Sequence, residues 1–161
     1  MSVRHVVLIA GPPCGGKSTL AGQLAQARPG IVLDRDVIAR GLGSTRRWLH
    51  EAALTERAEQ IMAGEMARIG QATDVIAYVV RSVPTPRARA ELAHQLRADV
   101  VYVVDPGMGE CLRRATADAR PGVPMRGCGS GTAGTGPAGW TAGPRQCRRS
   151  RRASGDHGRR P

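Results

Sequence analysis

The most informative stretch for chemistry is Gly11-Pro-Pro-Cys-Gly-Gly-Lys-Ser-Thr19, which fits the phosphate-binding pattern G-x-x-x-x-G-K-[ST] from Gly11 to Ser18. An apolar, β-branched run over residues 3–10 precedes it and predicts a buried parallel strand. After it, Leu20 and Leu24 are spaced four apart, as on the inner face of a helix. Strand, glycine loop and helix form the context that the pattern requires, so we predict a phosphate loop at Gly11–Thr19.

Each residue type in this loop suits the binding of a nucleotide. The glycines let the backbone turn tightly and bring its N–H groups onto phosphate oxygens. Lys17, the only lysine in the chain, is expected to reach the β- and γ-phosphates of ATP, and the Ser18 hydroxyl is expected to ligate Mg²⁺. The predicted nucleotide-binding residues are Gly11, Pro12, Pro13, Cys14, Gly15, Gly16, Lys17, Ser18 and Thr19.

A second group of candidate residues is Asp34-Arg35-Asp36, directly after the short apolar run 31–33. In doubly wound sheets, ligands bind beyond the carboxyl ends of the strands, so these side chains are expected to face the phosphate loop. One carboxylate, Asp34, is a candidate for the Mg²⁺ shell, and Asp36 is a candidate to accept a proton from a substrate hydroxyl. The alternative is that Asp36 only caps the next short helix, residues 37–40.

Further basic candidates lie at later element ends. Arg81 follows the strand predicted over residues 74–80, where it either contacts an anionic substrate or is a plain edge residue. Arg46 and Arg47 border the substrate cleft or lie on a packing helix that Ser44 or Thr45 caps. A helix predicted over residues 108–119 carries Arg113 and Arg114, with Arg120 beyond it, either as lid arginines or as solvated charges.

The alternation of apolar runs and helical patterns predicts the fold. Strands are expected at residues 3–10, 31–33, 74–80 and 99–105, each followed by a helix, with acids including Glu59 on the outer face of the long helix that ends near residue 69. This pattern indicates an α/β three-layer sandwich with a mostly parallel sheet of about four strands. The last of these runs ends in Asp105, which also fits the loose Walker B pattern.

Composition changes abruptly at residue 121. Residues 1–120 form the predicted domain, whereas residues 121–161 contain ten Gly, five Pro and eight Arg with a single acid, Asp156. Such a segment buries too little apolar area to offset ordering entropy, so disorder is predicted. It is interpreted as an out-of-frame reading or as an arginine-rich arm for nucleic acid.

Other compositional features exclude several classes of protein. The four cysteines show no C-x-x-C spacing, so neither a zinc site nor a redox motif is indicated. No apolar run is long enough for a membrane span, and no signal peptide precedes the loop, which predicts a cytoplasmic protein without a membrane partner.

With these motifs in place, residues 1–120 resemble P-loop kinases of the polynucleotide-kinase-like group, which includes phage 5′-hydroxyl kinases and small AAA-type proteins of phages and actinobacteria. The resemblance implies that Asp36 is the general base, that Arg35 lies near the acceptor, and that Arg114 or Arg120 is a lid arginine. Two features depart from the group: Arg81 follows the third strand where phage members tend to carry an acid, and the region after Arg120 does not match the final helix.

The function predicted from the sequence is therefore an ATP- and Mg²⁺-dependent kinase. Its partners are a nucleotide and a hydroxyl acceptor, which is a polynucleotide 5′-OH, a nucleoside, a sugar or a small acid. One alternative is a nucleotide-binding protein or slow ATPase without an acceptor. Another is a nucleic-acid-binding module that uses the basic tail.

Overall fold

A computed structural model of the chain describes residues 2–119 and the backbone of Arg145–Gln146. The α/β fold is confirmed, and its four principal strands are parallel. The elements in chain order are β1 Arg4–Ala10, α1 Lys17–Ala27, β2 Ile31–Leu33, α2 Arg35–Gly41, α3 Ala52–Gln71, β3 Val75–Arg81, α4 Pro86–Gln95, β4 Val100–Val103, α5 Met108–Ala117 and β5 Arg145–Gln146.

The order of strands across the sheet explains where a ligand can bind. The order is β2-β3-β1-β4-β5, so β1 lies centrally between β3 and β4. After β1 the chain forms β2 and β3 on one side of β1, and it then forms β4 on the other side. The connections diverge at the carboxyl end of β1, which is where such sheets bind ligands, and the phosphate loop starts there.

The apolar run of β1 is continuous because both faces of the sheet are covered. Val6 and Leu8 pack with Met62 and Ile69 of α3 in one buried cluster. Val7 and Ile9 belong to a second cluster, which includes Ala21 of α1. Alternate residues of β1 therefore pack against the helices on opposite faces of the sheet. This packing fixes the position of the end of β1 and of the loop that follows it.

The fifth strand lies in the segment for which disorder is predicted. Arg145–Gln146 pairs antiparallel with Tyr102 and Val103, at the edge of the sheet beyond β4. Residues 120–144 and 147–161 lie outside the described part, so the disorder predicted from residue 121 onward and the division after residue 120 stay predictions. None of the helices in the described residues combines the length and the apolar composition of a membrane span.

The start of the long helix is the main correction to the prediction. α3 begins at Ala52, with Glu51 as its N-cap residue, and neither Ser44 nor Thr45 caps it. Leu49 adopts a φ of 55°, which is incompatible with a helix, and the Ser44 hydroxyl bonds to the Glu51 carboxylate instead of to helix N–H groups. Residues 44–51 therefore form a loop, named the 44–51 loop below.

Gly11 is where the phosphate loop passes closest to the sheet. A Cβ built there would lie 2.1 Å from the carbonyl oxygen of Val104, and the φ of Gly11 is 153°. We expect Gly11→Ala to lower the free energy of unfolding by about 2–3 kcal/mol, because backbone must move to admit the methyl group.

Gly22 provides the matched control for this change. It lies in α1, and nothing stands within 4 Å of its built Cβ, so Gly22→Ala is expected to be neutral or to stabilise by about 0.5–1 kcal/mol. Urea denaturation of both variants checks the pair. Equal effects at the two positions would contradict the close approach at Gly11.

Candidate functional site

The phosphate loop is built by backbone conformations that its glycines permit. Gly16 has a φ of 96° and is the N-cap residue of α1, so the helix begins at Lys17 with its N–H groups open toward the loop. The N–H of Gly15 bonds to the Pro12 carbonyl at 3.2 Å, which closes the turn. Cys14 also has a positive φ, of 57°. Successive N–H groups in such a turn, followed by the start of a helix, are suited to binding an anion.

Lys17 is folded back within the loop. Its Nζ donates to the carbonyl oxygen of Pro12 at 2.7 Å. Burial lowers the pKa of Lys17 below its ordinary value, and the nearby charges of Asp34 and Asp36 oppose that shift. Both acids after β2 therefore lie within electrostatic reach of the lysine, as their strand-end position predicts.

Asp34 joins α2 to the phosphate loop. Its side chain is buried, with the residue 6% exposed. Oδ1 accepts the N–H of Asp36 at 2.9 Å, so Asp34, not Asp36, is the side-chain cap of α2. Oδ2 accepts the Ser18 hydroxyl at 2.6 Å. The structure thus brings the two residues predicted as metal ligands into direct contact.

Asp36 is more open than Asp34. Its side chain is 32% exposed, and its Oδ1 lies 3.2 Å from Nη2 of Arg35. With the cap supplied by Asp34, the Asp36 carboxylate is free of that structural role. Asp36 is therefore the more accessible of the two acids that follow β2.

Arg35 and Arg81, both predicted to contact the substrate, form ion pairs with Glu59, which was predicted on the outer face of the long helix. Glu59 of α3 pairs with Nη1 of Arg81 at 2.8 Å through one oxygen and with Nη1 of Arg35 at 3.5 Å through the other. Nothing in the local spacing marks Glu59, because this contact depends on how α3 packs against the face of the sheet. The Arg81 side chain is consequently part of an ion-pair cluster.

The arginines of α5 separate into two environments. Arg114 donates to Glu110 at 2.6 Å and to the Cys14 carbonyl at 3.4 Å, and its Nη1 lies 3.3 Å from a Cβ built at Gly16. Arg113 pairs with Glu110 on an exposed surface, 72% accessible. These contacts hold the pKa of Glu110 below its ordinary value, the bond from Arg113 first. Arg114 therefore lies over the phosphate loop, whereas Arg120 lies outside the described residues.

A cavity of about 670 Å³ opens between the 44–51 loop and the end of α5. Its lining includes Arg46, Arg47, Trp48 and Leu49 on one side and residues 117–119 on the other.

Asp105, the Walker B candidate, is exposed, and its Oδ1 accepts the N–H of Gly107 in a turn. In this structure Asp105 supports its own turn, and its role as a Walker B acid stays a prediction.

The central phosphate loop and the parallel, helix-covered sheet define the chain as a P-loop protein with a kinase-like fold. A family model described as an AAA domain matches residues 6–124, so the chain belongs to that family. The narrower phage and actinobacterial polynucleotide-kinase-like group stays a prediction.

Two solved structures show how widely this fold is shared. A chain of the Pnkp1/Rnl/Hen1 RNA repair complex aligns with a TM-score of 0.56 and 15% identity, over 74% of this chain and 39% of that one. Shikimate kinase from Acinetobacter baumannii, in complex with shikimate, aligns with a TM-score of 0.51 and 22% identity, over 74% and 67%. This chain thus spans about two fifths of the RNA repair chain's length. No curated protein matches it.

Proposed function

We propose that this chain binds ATP with Mg²⁺ at Gly11–Thr19 and transfers the γ-phosphoryl group to an acceptor hydroxyl, with Asp36 as the general base. The observation that supports this proposal most directly is that Asp34 and Asp36 differ in their burial and in their contacts. Asp34 is buried against Ser18 and caps α2, whereas Asp36 is partly exposed and lies within electrostatic reach of Lys17. Phosphorylation of a hydroxyl group needs a carboxylate that can bind the metal ion and, beside it, an accessible carboxylate that can act as the base.

The phosphate loop would bind the triphosphate through its backbone N–H groups and the N-terminus of α1. Lys17 would exchange the Pro12 carbonyl for phosphate oxygens, which favour its charged form. Arg114, already above Gly16, adds a second positive charge. Together these charges neutralise the oxygens of the transferred group, which is the main contribution a protein makes to this reaction.

The transfer itself moves one proton and one phosphoryl group. The acceptor oxygen forms a bond to the γ-phosphorus while the bond from that phosphorus to the bridging oxygen of ADP breaks. The acceptor O–H bond breaks in the same step, and its proton passes to the Asp36 carboxylate. The cleft lined by Arg46, Arg47 and Trp48 would admit the acceptor.

The residues present fit a magnesium ion. Ser18 Oγ and Asp34 Oδ2, which are 2.6 Å apart, are hard oxygen donors of the kind that Mg²⁺ prefers. Among the described residues no group of three or more His, Cys, Asp or Glu side chains could hold a metal, so phosphate oxygens and water would complete the shell. When bound, the ion would neutralise phosphate charge.

We expect Asp34→Asn to raise the Mg²⁺ concentration needed for ATP binding by about 10–100-fold. The amide keeps an oxygen for the Asp36 N–H but places a nitrogen at Oδ2, where it can neither ligate a metal nor accept the Ser18 hydrogen bond. Asp105→Asn is the matched control, because it changes a strand-end acid that only supports its own turn. Calorimetric Mg²⁺ titrations in the presence of ATP compare the two, and a larger effect at Asp105 would contradict the assignment.

An acceptor screen tests the kinase proposal. Phosphoryl transfer from labelled ATP is measured to a 5′-hydroxyl oligonucleotide, to nucleosides, to sugars and to shikimate, with Lys17→Ala as the inactive control. The oligonucleotide and shikimate are included because of the two structures that share the fold. Transfer to one class that depends on Lys17 would support the proposal, and ATP binding without transfer to any class would contradict it.

The second candidate is a nucleotide-binding protein or slow ATPase that uses no acceptor. The ion-pair cluster favours it, because Arg35 is held by Asp36 and Glu59 and Arg81 by Glu59. Neither arginine then offers an unpaired charge to an anionic acceptor. ATP hydrolysis that no compound in the screen accelerates would support this alternative.

A further inference from the structure

Arg81 lies between the phosphate loop and the acids that follow β2. It is the last residue of β3, and it pairs in register with Ala10, the residue directly before the phosphate loop. On the other side of β3, Leu33 pairs with Val79, so the segment that follows β2 lies along the same edge of the sheet. Sheets of this kind bind their ligands at the carboxyl ends of the strands. The position of Arg81 is therefore one at which an acceptor can be bound.

The Arg81 side chain is held in place through one of its nitrogens. Nη1 donates to Oε2 of Glu59 at 2.8 Å and lies 3.7 Å from Sδ of Met62, a fully buried residue. The side chain as a whole is 29% exposed. These contacts restrict the guanidinium before any ligand arrives. Less conformational entropy is then lost when a ligand binds, which favours binding.

The other two guanidinium nitrogens of Arg81 are open. In the part of the chain that the structure describes, neither Nε nor Nη2 has a hydrogen-bond partner. Among the same residues, the buried side-chain polar atom that lacks a partner is Nε2 of His50, so the two Arg81 nitrogens are not buried. Nε and Nη2 form the planar edge that binds a carboxylate or a phosphate through two parallel hydrogen bonds. Glu59 thus offsets the charge of Arg81 but leaves this edge open.

Arg35 differs from Arg81 in this respect. Its Nε and Nη2 lie 3.3 and 3.2 Å from Oδ1 of Asp36, and its Nη1 lies 3.5 Å from Oε1 of Glu59. All three nitrogens therefore face a carboxylate. The same contacts connect Arg81 to the proposed base through Glu59 and Arg35. Because only one carboxylate and one guanidinium separate Arg81 from Asp36, a single acceptor can reach both.

We propose that Arg81 binds the acceptor, and that the acceptor carries an anionic group, a carboxylate or a phosphate, besides the hydroxyl that reacts. The anion binds the edge formed by Nε and Nη2, and Glu59 positions the guanidinium through Nη1. The inference rests on the proposed function, since it names the class of acceptor for that reaction. Neutral sugars and nucleosides are consequently expected to be poor acceptors.

Pairs of acceptors that differ in one anionic group test the proposal. Transfer from ATP is measured to shikimate and its methyl ester, for a carboxylate, and to a nucleoside 3′-monophosphate and the nucleoside, for a phosphate. We expect kcat/KM to be at least about 30-fold higher for the charged member of one pair. Arg81→Met should remove most of this preference, with less than about a threefold change in KM for ATP. Equal use of both members by the native chain would overturn the proposal.

Arg87→Met is the matched control. Arg87 pairs with Glu91 on α4 through Nε, and its side chain is 90% exposed. Loss of this charge should change neither the preference nor the KM for ATP. The ratio between two acceptors, measured on one preparation, does not depend on the folded fraction, so a less stable Arg81→Met still gives a decisive result. A preference that survives in Arg81→Met would show that another group recognises the charge, and would overturn the proposal.

A second measurement does not require activity. Nitrogen-15 NMR of the arginine Nε–H groups follows the native chain during titration with sodium acetate and, separately, with inorganic phosphate. Arg81→Met and Arg87→Met assign the two signals. We expect the Arg81 signal to shift to a plateau with at least one anion, and to do so also in Lys17→Met, in which the phosphate loop lacks its lysine. An Arg81 signal that reaches no plateau, or moves no more than that of Arg87, would overturn the proposal. If the native chain phosphorylates no acceptor, the proposed function fails, and this titration alone decides whether Arg81 binds an anion.

Discussion

Asp36→Asn is expected to lower kcat for phosphoryl transfer by about 10²–10⁴-fold while the Kd for ATP changes by less than about threefold. The amide has the shape of the carboxylate but cannot accept the acceptor proton. The cap of α2 is retained, because Asp34 supplies it through Oδ1. Removal of a negative charge near Lys17 also reduces repulsion of the triphosphate, so nucleotide affinity should not suffer. Steady-state kinetics and calorimetry, performed on the same preparation, check both statements.

Glu91→Gln is the control for the loss of a surface carboxylate. Glu91 pairs with Arg87 on α4, much as Asp36 pairs with Arg35, and its side chain is 58% exposed. The substitution should leave kcat and ATP affinity unchanged, because surface ion pairs contribute at most about 1 kcal/mol. Retention of more than a tenth of native kcat in Asp36→Asn would show that another group accepts the proton.

The parts of the site that the sequence predicts are those fixed by neighbours along the chain. The run 3–10, the glycines and the helix after them specify a strand, a turn and a helix within 27 residues, and the structure has all three. The position of β2 is predicted to the residue, because Pro29-Gly30 ends the helix before it and the apolar run stops at Leu33. The next helix begins at Arg35, two residues earlier than predicted, because Asp34 and not Asp36 caps it. Local backbone chemistry was sufficient for these elements.

The contacts that the sequence does not predict join residues far apart in the chain. Glu59 reaches Arg81, 22 positions away, because α3 packs against the face of the sheet. His50 faces Asp36 because residues 44–51 form a loop, where the apolar spacing suggested a helix. A pattern of spacing reports one element at a time, whereas these pairs depend on the path between elements. The two acids that follow β2 are the exception. Their position near the phosphate loop can be predicted, because the carboxyl ends of parallel strands lie along one edge of the sheet.

The arrangement of the acids also explains why D-x-D spacing is informative here. Asp34 lies at the end of β2 and begins a helix, so its two oxygens are occupied by Ser18 and by the Asp36 N–H. Two positions further, in the first turn of α2, Asp36 has a different exposure and other partners. One residue therefore fixes the loop to the helix, and the other stays accessible to a substrate. Adjacent acids in an extended segment would point to opposite sides and would not share the site.

Lys17→Met is expected to weaken ATP binding by about 100-fold or more, since truncating a charged partner of a phosphate costs about 3 kcal/mol. Met has similar length and packs in the same space but offers neither charge nor donor. Arg68→Met removes a positive charge from an exposed position of α3 and should leave affinity unchanged. Equal losses in the two variants would indicate a general charge effect in place of a specific phosphate contact. Calorimetry with Mg²⁺ and ATP decides between these outcomes.

The same variant should be as stable as the native chain, or more stable, in the absence of nucleotide. Burial is the largest influence on Lys17 and lowers its pKa, so the charged form is less favourable in the folded chain than in the unfolded one. Between the folded pKa and the ordinary value of 10.5 the unfolded chain binds more protons, so the free energy of unfolding gains a rising contribution with pH over that interval. Lys17→Met lacks this contribution. Urea denaturation at pH 7.5 and pH 10.5 measures the difference between the two chains, in which the titration of the tyrosines cancels. A variant that is markedly less stable than the native chain at pH 7.5 would contradict this prediction. It would show that Lys17 stabilises the loop even when no nucleotide is bound.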